Sequence, residues 1–434
     1  ISSYLLKYSF KTFIVGGSIR DIIMLKKPKD WDLATDALPE EIVEIFKKTE
    51  FKVIDISKKH GTIILIKNNK SYEITTFRVD GDYDDFRRPK TVKFVKSIEK
   101  DLSRRDFTIN SLAYSNKTGL IDLFSGKKDI ENKIIRCVGI PEFRFNEDSL
   151  RILRAIRFSS ELNFMIESKT LDAIKNNIYL INSLSKDRIR NEFNKILLSD
   201  HPIKGLILLK NLKILEMIIP EIKDSYDFNQ YNINHNKDVF FHTLDVVKFV
   251  DNKLVLRLAA LLHDIGKPKS FFLDNDGIGH FYGHHKISRE MAKDILERYN
   301  YPNEIIIQVL ELINEHMVVY RDEFSNKAVK DLMNRVNIDN LVKLQIADIK
   351  ATANPNKNKH VFRLKKRCEN IVNNCEPMKV SELDINGYDL LNLGFLQNKI
   401  IGEILNYLLE IVLEKPELNK KQELYKIIKR KWLI

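Results

Sequence analysis

Residues 13–36 read FIVGGSIRDIIMLKKPKDWDLATD, and this stretch decides the fold. The apolar run Phe13, Ile14 and Val15 predicts a buried strand. Gly16, Gly17 and Ser18 turn it, and residues 19–25 start a helix. Glycines let backbone N–H groups come close to a ligand, and the first turn of a helix offers unpaired donors that suit phosphate. Pro28 forces a second turn, into a strand expected to carry Asp30, Trp31 and Asp32. Strand side chains alternate, so Asp30 and Asp32 project together and Trp31 points away. Two carboxylates beside a phosphate cradle suit a Mg²⁺ pair for phosphoryl or nucleotidyl transfer.

A Gly-Gly turn or a D-x-D pair alone is usually a plain turn or a solvated face. In the order strand, GGS, helix, strand, DxD, the combination resembles the polymerase-β-like nucleotidyltransferase superfamily. That resemblance implies a third acid on a later strand. Glu73, a lone acid in SYEITTF, fits it, against the plainer reading of an edge-strand charge.

Outward from this centre, LPEEIVEIFKK predicts an amphipathic helix. Residues 51–56, 62–66 and 72–77 predict strands of one mixed sheet in an α+β pattern. FRVDGDYDDFRRPKTVKF follows, with Gly81 and Pro89 against regular structure. It reads either as a plain surface loop or as a mobile loop that helps position substrate. In DLSRRDFTINSLAY, Arg104 and Arg105 offer guanidinium forks for triphosphate oxygens, and Asp106 and Asn110 hold a sugar or orient those arginines. NEDSLRILRAIRF predicts a helix capped by Asn146, with Asp148, Arg151 and Arg154 on one face and Arg157 continuing the row. As surface ion pairs these would contribute under about 1 kcal/mol. As a base reader, Arg151 donates to the ring acceptors of cytosine or adenine while Asp148 accepts from their exocyclic amine. Guanine and uracil present the wrong pattern, and a matched bidentate contact discriminates by roughly 1–3 kcal/mol.

With these motifs in place, the chain resembles the class II, bacterial-type CCA tRNA nucleotidyltransferases and poly(A) polymerases. The matching pieces are GGSIRD with DWD, the FRVDGDYDDFRRP loop, DLSRRDFTIN, the segment from Asp122 to Arg136, EDSLR with Arg154 and Arg157, and LSKDRIRNEFNKIL. The resemblance implies Asp30 and Asp32 as catalytic Mg²⁺ ligands. It implies nucleotide contacts from Gly17, Ser18, Arg20 and Arg104 or Arg105, base reading by Asp148 and Arg151, and triphosphate binding by Arg154 and Arg157. The expected reaction is template-independent addition of C, C and A to a tRNA 3′ end from CTP and ATP. CC-adding relatives lack much of the mobile loop, which this chain keeps. Addition of A alone, or poly(A) synthesis, stays open as the alternative.

The middle of the chain holds most of the ten histidines. Residues 187–220 read as helical, and polar residues 229–236 as a linker. His242, the His263-Asp264 doublet in LLHDIGKP, His284 and His285, His316 and Asp348 then follow. A lone histidine on an apolar helix is usually a core residue. This set resembles the HD phosphohydrolase superfamily, which implies His242, His263, Asp264 and Asp348 as ligands of a divalent metal. His284 or His285, and His316, match the extra ligands of two-metal members, and Lys267 a phosphate contact. Imidazole and carboxylate ligands suit Mn²⁺, Ni²⁺, Fe²⁺ or Mg²⁺, so the metal stays open. Phosphodiesterase or phosphatase activity on RNA ends is implied, with a tRNA-binding scaffold as the plainer reading. A second alternative makes the chain chiefly an HD phosphohydrolase.

Lys420, Lys421, Lys429, Arg430 and Lys431 mark a basic helical tail, which the resemblance makes a grip on tRNA. The expected division is a head at 1–139, a neck at 140–225, an HD domain at 226–360 and a tail at 361–434. The fold class is thus α+β, a polymerase-β-like head with a mixed sheet, followed by an all-helical neck, HD domain and tail. The whole chain of 434 residues carries 72 Lys and Arg against 60 Asp and Glu, a net charge of +12, which favours a polyanionic partner. No stretch approaches the ~20 apolar residues that cross a bilayer, no secretory leader opens the chain, and no protein partner is implied. Three cysteines without metal or redox spacing, Cys137, Cys368 and Cys375, suit free thiols in a reducing cytoplasm.

Overall fold

The computed structural model describes every residue except 29, 58–60, 82–90, 232–236, 320–322, 354–357 and 433–434, and leaves the side chains of 55–57 undescribed. The chain forms two compact units, Ile1–Ile218 and Ile219–Ile434.

The first unit is built on a seven-stranded mixed sheet. Its strands are β1 (Thr12–Val15), β2 (Asp32–Thr35), β3 (Lys52–Ser57), β4 (Thr62–Lys67), β5 (Lys70–Thr76), β8 (Leu112–Ser115) and β9 (Gly119–Asp122). They lie in the order β3-β4-β5-β2-β1-β8-β9, and β2 and β5 run parallel. Alternation assigns the faces. Leu33, Ile63, Leu65 and Ile74 meet the helix Pro39–Lys47, which buries Ile42, Ile45 and Phe46 at helical spacing. Each such side chain contributes roughly 1.5–3 kcal/mol. Glu41 accepts from the Leu38 N–H at 2.6 Å and closes the start of that helix. Phe13, Val15, Ala34, Phe77 and Ala113 form the second core, with Ile98 and Leu102 from the helix Ile98–Ser103.

Three expectations need correction. β2 begins at Asp32, so Asp30 and Trp31 precede the strand. In the β1–β2 register Ile14 faces Leu33; β1 ends at Val15 where Gly16 turns off, so nothing pairs with Trp31 on that side. The following helix is Gly17–Ile23, because Gly16, at φ 73°, reverses the chain within one residue, and Leu25 at φ 57° lies beyond its end. Nor is the charged segment wholly irregular: β6 (Arg78–Asp80) and β7 (Val92–Phe94) pair antiparallel. Its middle lies outside the described residues.

The helix predicted from Asn146 is two helices, Pro141–Glu147 and Leu150–Leu162. Asn146 sits inside the first, and Ser149 stands at the N-cap of the second. The break falls at Asp148, which is extended (φ −142°, ψ 104°) and accepts from the Leu150 N–H at 3.1 Å. A short acidic side chain that bonds the backbone two residues on starts a helix rather than continuing one. Asp148 therefore does not share a helical row with Arg151 and Arg154.

Among its described residues the second unit has helices and one short strand pair, Phe272–Leu273 with Gly279–His280. The predicted linker at 229–236 lies partly outside the described residues. Leu390, Ile404, Leu408, Val412, Leu424 and Ile428 close the core of the C-terminal helices Lys399–Glu414 and Lys421–Trp432. No helix among the described residues is long and apolar enough to cross a membrane.

Candidate active site

At the end of the sheet a cleft of about 700 Å³ is lined by Gly16, Gly17, Arg20, Asp32, Glu73, Asp80, Arg104, Arg105, Asp106, Asn110, Asp148, Arg151, Arg154 and Arg188, among others. β2 and β5 set Asp32 directly beside Glu73. Asp32 lies above the usual carboxylate range because it is partly buried, which Arg105 opposes and Asp30 reinforces. Glu73 is exposed at the rim, yet the cleft walls and the Asp32 charge raise it too. Crowded carboxylates that repel one another, opposed by Arg105 at both and by Arg78 at Glu73, are a donor set that a divalent cation relieves. Asp30 is exposed and does not line the cleft, but its charge reaches both acids. Ser18 ties it in: the hydroxyl donates to Asp30 O at 3.1 Å and accepts from Asp32 N at 3.4 Å. The DxD pair is thus held by a hydroxyl and not by strand alternation.

The arginines are organised by acids. Buried Asp101 takes Arg104 at 2.7 Å and Arg105 at 3.2 Å; burial pushes its carboxyl up, and these two cations bring it below its ordinary value. The sequence signal was there, since Asp101 stands three and four residues before them on a helix. Arg20 donates to Asn110 Oδ1 at 2.8 Å, and Asn110 donates to Asp106 at 3.3 Å. Asp106 pairs with Arg154 at 2.6 Å. Burial opposes its ionisation, but Arg154 outweighs that and holds Asp106 down to about 2. Arg157 faces Glu192 at 3.2 Å and does not line the cleft, which places it in a buried ion pair rather than on a triphosphate.

Arg151 donates to Arg144 O at 3.0 Å and Arg104 O at 3.1 Å and pairs with Glu147 at 2.5 Å. Two main-chain carbonyls from separate segments therefore aim one guanidinium. Asp148 pairs with Arg188 at 2.9 Å. Glu147 and Arg188 went unremarked in the sequence; forty residues separate Arg188 from its partner, so no local spacing announces it.

In the second unit, five helices bring His242, His263, Asp264, His284, His316 and Asp348 together. His242 Nε2 lies 3.0 Å from Asp348, His263 Nε2 3.1 Å from Asp264, and His284 Nε2 3.2 Å from Asp264. Two overlapping triads fit a metal, His242-His263-Asp348 and His263-Asp264-His316. His263 Nε2 and Asp264 Oδ2 are buried without an aligned hydrogen bond, as unsatisfied donor atoms of a cation site would be. Burial disfavours a charged imidazole, yet Asp264 and Asp348 lift His263 to about 10, so the acids demand positive charge. The Nδ1 atoms of His263, His284 and His316 lie 2.8, 2.8 and 2.7 Å from the carbonyls of Ala260, Phe281 and Ile313, three residues earlier. His285 lies at the edge, its ring centre 6.0 Å from that of His284. Lys267 contacts Asp264 at 2.7 Å and Gln230 at 2.9 Å.

Comparison with known proteins follows the same division. Residues 12–136 match the poly A polymerase head domain, 163–226 the probable RNA and SrmB-binding site of polymerase A, and 232–352 the HD domain. These three matches follow one another along the chain, so it is similar in turn to a polymerase head, to the segment that follows such heads and to an HD domain. CCA-adding enzymes of Ligilactobacillus salivarius and Pediococcus pentosaceus are 42% and 47% identical to it over 251 and 215 residues, 56% and 50% of this chain. The matches span 61% and 53% of those relatives' own length. A crystal structure of the Bacillus stearothermophilus CCA-adding enzyme in complex with CTP matches 99% of this chain and 95% of its own, at 25% identity and a TM-score of 0.71. The chain thus resembles CCA-adding enzymes in sequence over about half of its length and in fold over 99% of it, and it spans 61% or less of the length of these two curated relatives.

Proposed function

We propose that the chain adds C, C and A to tRNA 3′ ends from CTP and ATP without a nucleic-acid template, in the cytoplasm. The observation that carries this is one cleft lined both by the Asp32–Glu73 pair and by the Asp148–Arg151 pair. Asp30 and Asp32, with Glu73, would hold Mg²⁺, which supplies charge neutralisation for the attacking hydroxyl and the triphosphate. Gly16, Gly17 and Ser18 leave backbone room for phosphate. Arg20, Arg104, Arg105 and Arg154 supply positive charge along the triphosphate path, with Asp106 and Asn110 setting their direction. Arg151 donates to the ring acceptors of cytosine or adenine, and Asp148 accepts from the exocyclic amine. The incoming α-phosphorus is attacked in line by the RNA 3′-hydroxyl, and pyrophosphate leaves.

The four-part division at 139, 225 and 360 is the organisation proposed for these roles, with the basic tail meeting tRNA phosphates. The His/Asp cluster favours a second activity, metal-dependent hydrolysis of phosphate esters at RNA ends, its metal held by His242, His263, Asp264 and Asp348 with His284 and His316.

Incubating tRNA that ends at the discriminator base with CTP alone tests the reading. Two added C residues are expected; no extension would leave an A-adding or poly(A) enzyme. Asp32→Asn should lower incorporation of both CTP and ATP by more than about a hundredfold, beyond the 10–100-fold typical of groups that only support a metal ligand. Unchanged incorporation would remove the metal assignment.

A further inference from the structure

Asp148 reads a base only if its carboxylate stays ionised and keeps an oxygen free to accept in the cleft, and the short extended link that carries it does not ensure this. Its other restraint is Arg188, from the helix Lys186–Leu197. Arg188 Nη2 lies 2.9 Å from one Asp148 oxygen and 3.0 Å from the other. Arg188 also lines the cleft, and its second terminal nitrogen, Nη1, is buried with no hydrogen-bond partner. A buried guanidinium N–H left over inside a binding cleft is costly unless a ligand takes it.

We infer that Arg188 is a specificity-determining positioning residue, holding the Asp148 carboxylate as an acceptor for the exocyclic amine of the incoming base. The inference rests on the nucleotide-addition reading. The charge balance supports it. Burial raises Asp148 above its ordinary value, and Arg188, the Leu150 N–H and Arg151 oppose that. Arg154 adds positive charge from the same helix as Arg151, and Glu147 at the end of the preceding helix is already paired with Arg151. Without Arg188 the largest opposing charge is gone, and Asp148 takes up a proton more readily. A protonated carboxyl donates, and the base it suits carries an oxygen where cytosine carries an amine: uracil. A guanidinium is always charged, so wild-type Asp148 keeps its acceptor state across the neutral range.

The experiment measures kcat/KM for CTP and for UTP in single-nucleotide addition to tRNA, from pH 6 to 9, for wild type, Arg188→Gln and Arg188→Lys. Arg188→Gln should lose at least about tenfold of the preference for CTP, a matched bidentate contact being at stake, and lose more at pH 6 than at pH 9. Arg188→Lys keeps the charge but not the fork, so its loss should be smaller and flat with pH. A wild-type preference in the Gln variant overturns the inference. So does an equal fall at every pH, which marks packing alone. If Arg188→Gln does not fold, Arg188→Met takes its place under the same criteria: a preference lost more at pH 6 than at pH 9 supports the inference, and an unchanged or equally reduced one overturns it. A wild-type enzyme with no preference for CTP over UTP would instead remove the nucleotide-addition reading itself.

Discussion

Asp106 joins two parts of the first unit, because its carboxylate meets Arg154 from the neck helix Leu150–Leu162. Replacing it by Asn leaves a largely desolvated guanidinium without its counter-charge. The expected loss is about 3 kcal/mol, the lower end for breaking a buried pair, since Arg154 keeps some contact with water. A urea titration of the first unfolding transition checks this. The folded value, about 2, lies below the roughly 3.9 of an unfolded aspartate, so the pair's stabilisation is complete above pH 4. It fades as pH falls toward 2, and the gap between wild type and Asp106→Asn should close over that window only. At this scale residue types are legible in the sequence and their partners mostly are not. Arg104 and Arg105 were legible as cleft arginines because they stand in one short motif. Arg157 sits in the same helical row, yet Glu192, 35 residues on, draws it away.

At the scale of elements, the turn after β1 is the most constrained. Gly16 holds φ 73°, and a Cβ there would meet Arg105 Nη1 at 3.0 Å. Gly16→Ala should therefore cost about 1–2 kcal/mol for the left-handed backbone and also displace a cleft arginine. The expected outcome is a lower melting temperature together with an increase in KM for CTP of about tenfold, one lost charge-assisted contact. Unaltered KM in the folded variant would show that Arg105 does not reach the triphosphate. Strands β3, β4 and β5 were readable because alternation and β-branched residues agree along each of them. The start of β2 and the break at Asp148 were not. Both depend on what lies alongside: a neighbouring strand that has ended, and a carboxylate that prefers the backbone to a helical row.

On the scale of the whole molecule, two clusters of acids stand in two separately packed units. His263→Ala should abolish metal-dependent phosphate-ester hydrolysis and lower the bound divalent metal measured by elemental analysis, while CTP incorporation stays within about twofold, as expected for independent sites. Joint loss of both activities would contradict separate chemistries. That these histidines and aspartates gather was readable from their spaced motifs, and the structure separates His284, inside the cluster, from His285 at its edge. Helical phase decides that, and neighbouring residues in a doublet leave it open. Finally, three of the cluster's imidazoles are each wired to the main-chain carbonyl three residues earlier. That contact turns each inner nitrogen toward the cluster without any side chain to mutate away, and on His263, which the acids lift to about 10, a cation would take the place of the inner proton. A cation entering the cluster would meet rings already turned toward it, so substitutions around it should alter how tightly a cation is held without altering which atom greets it.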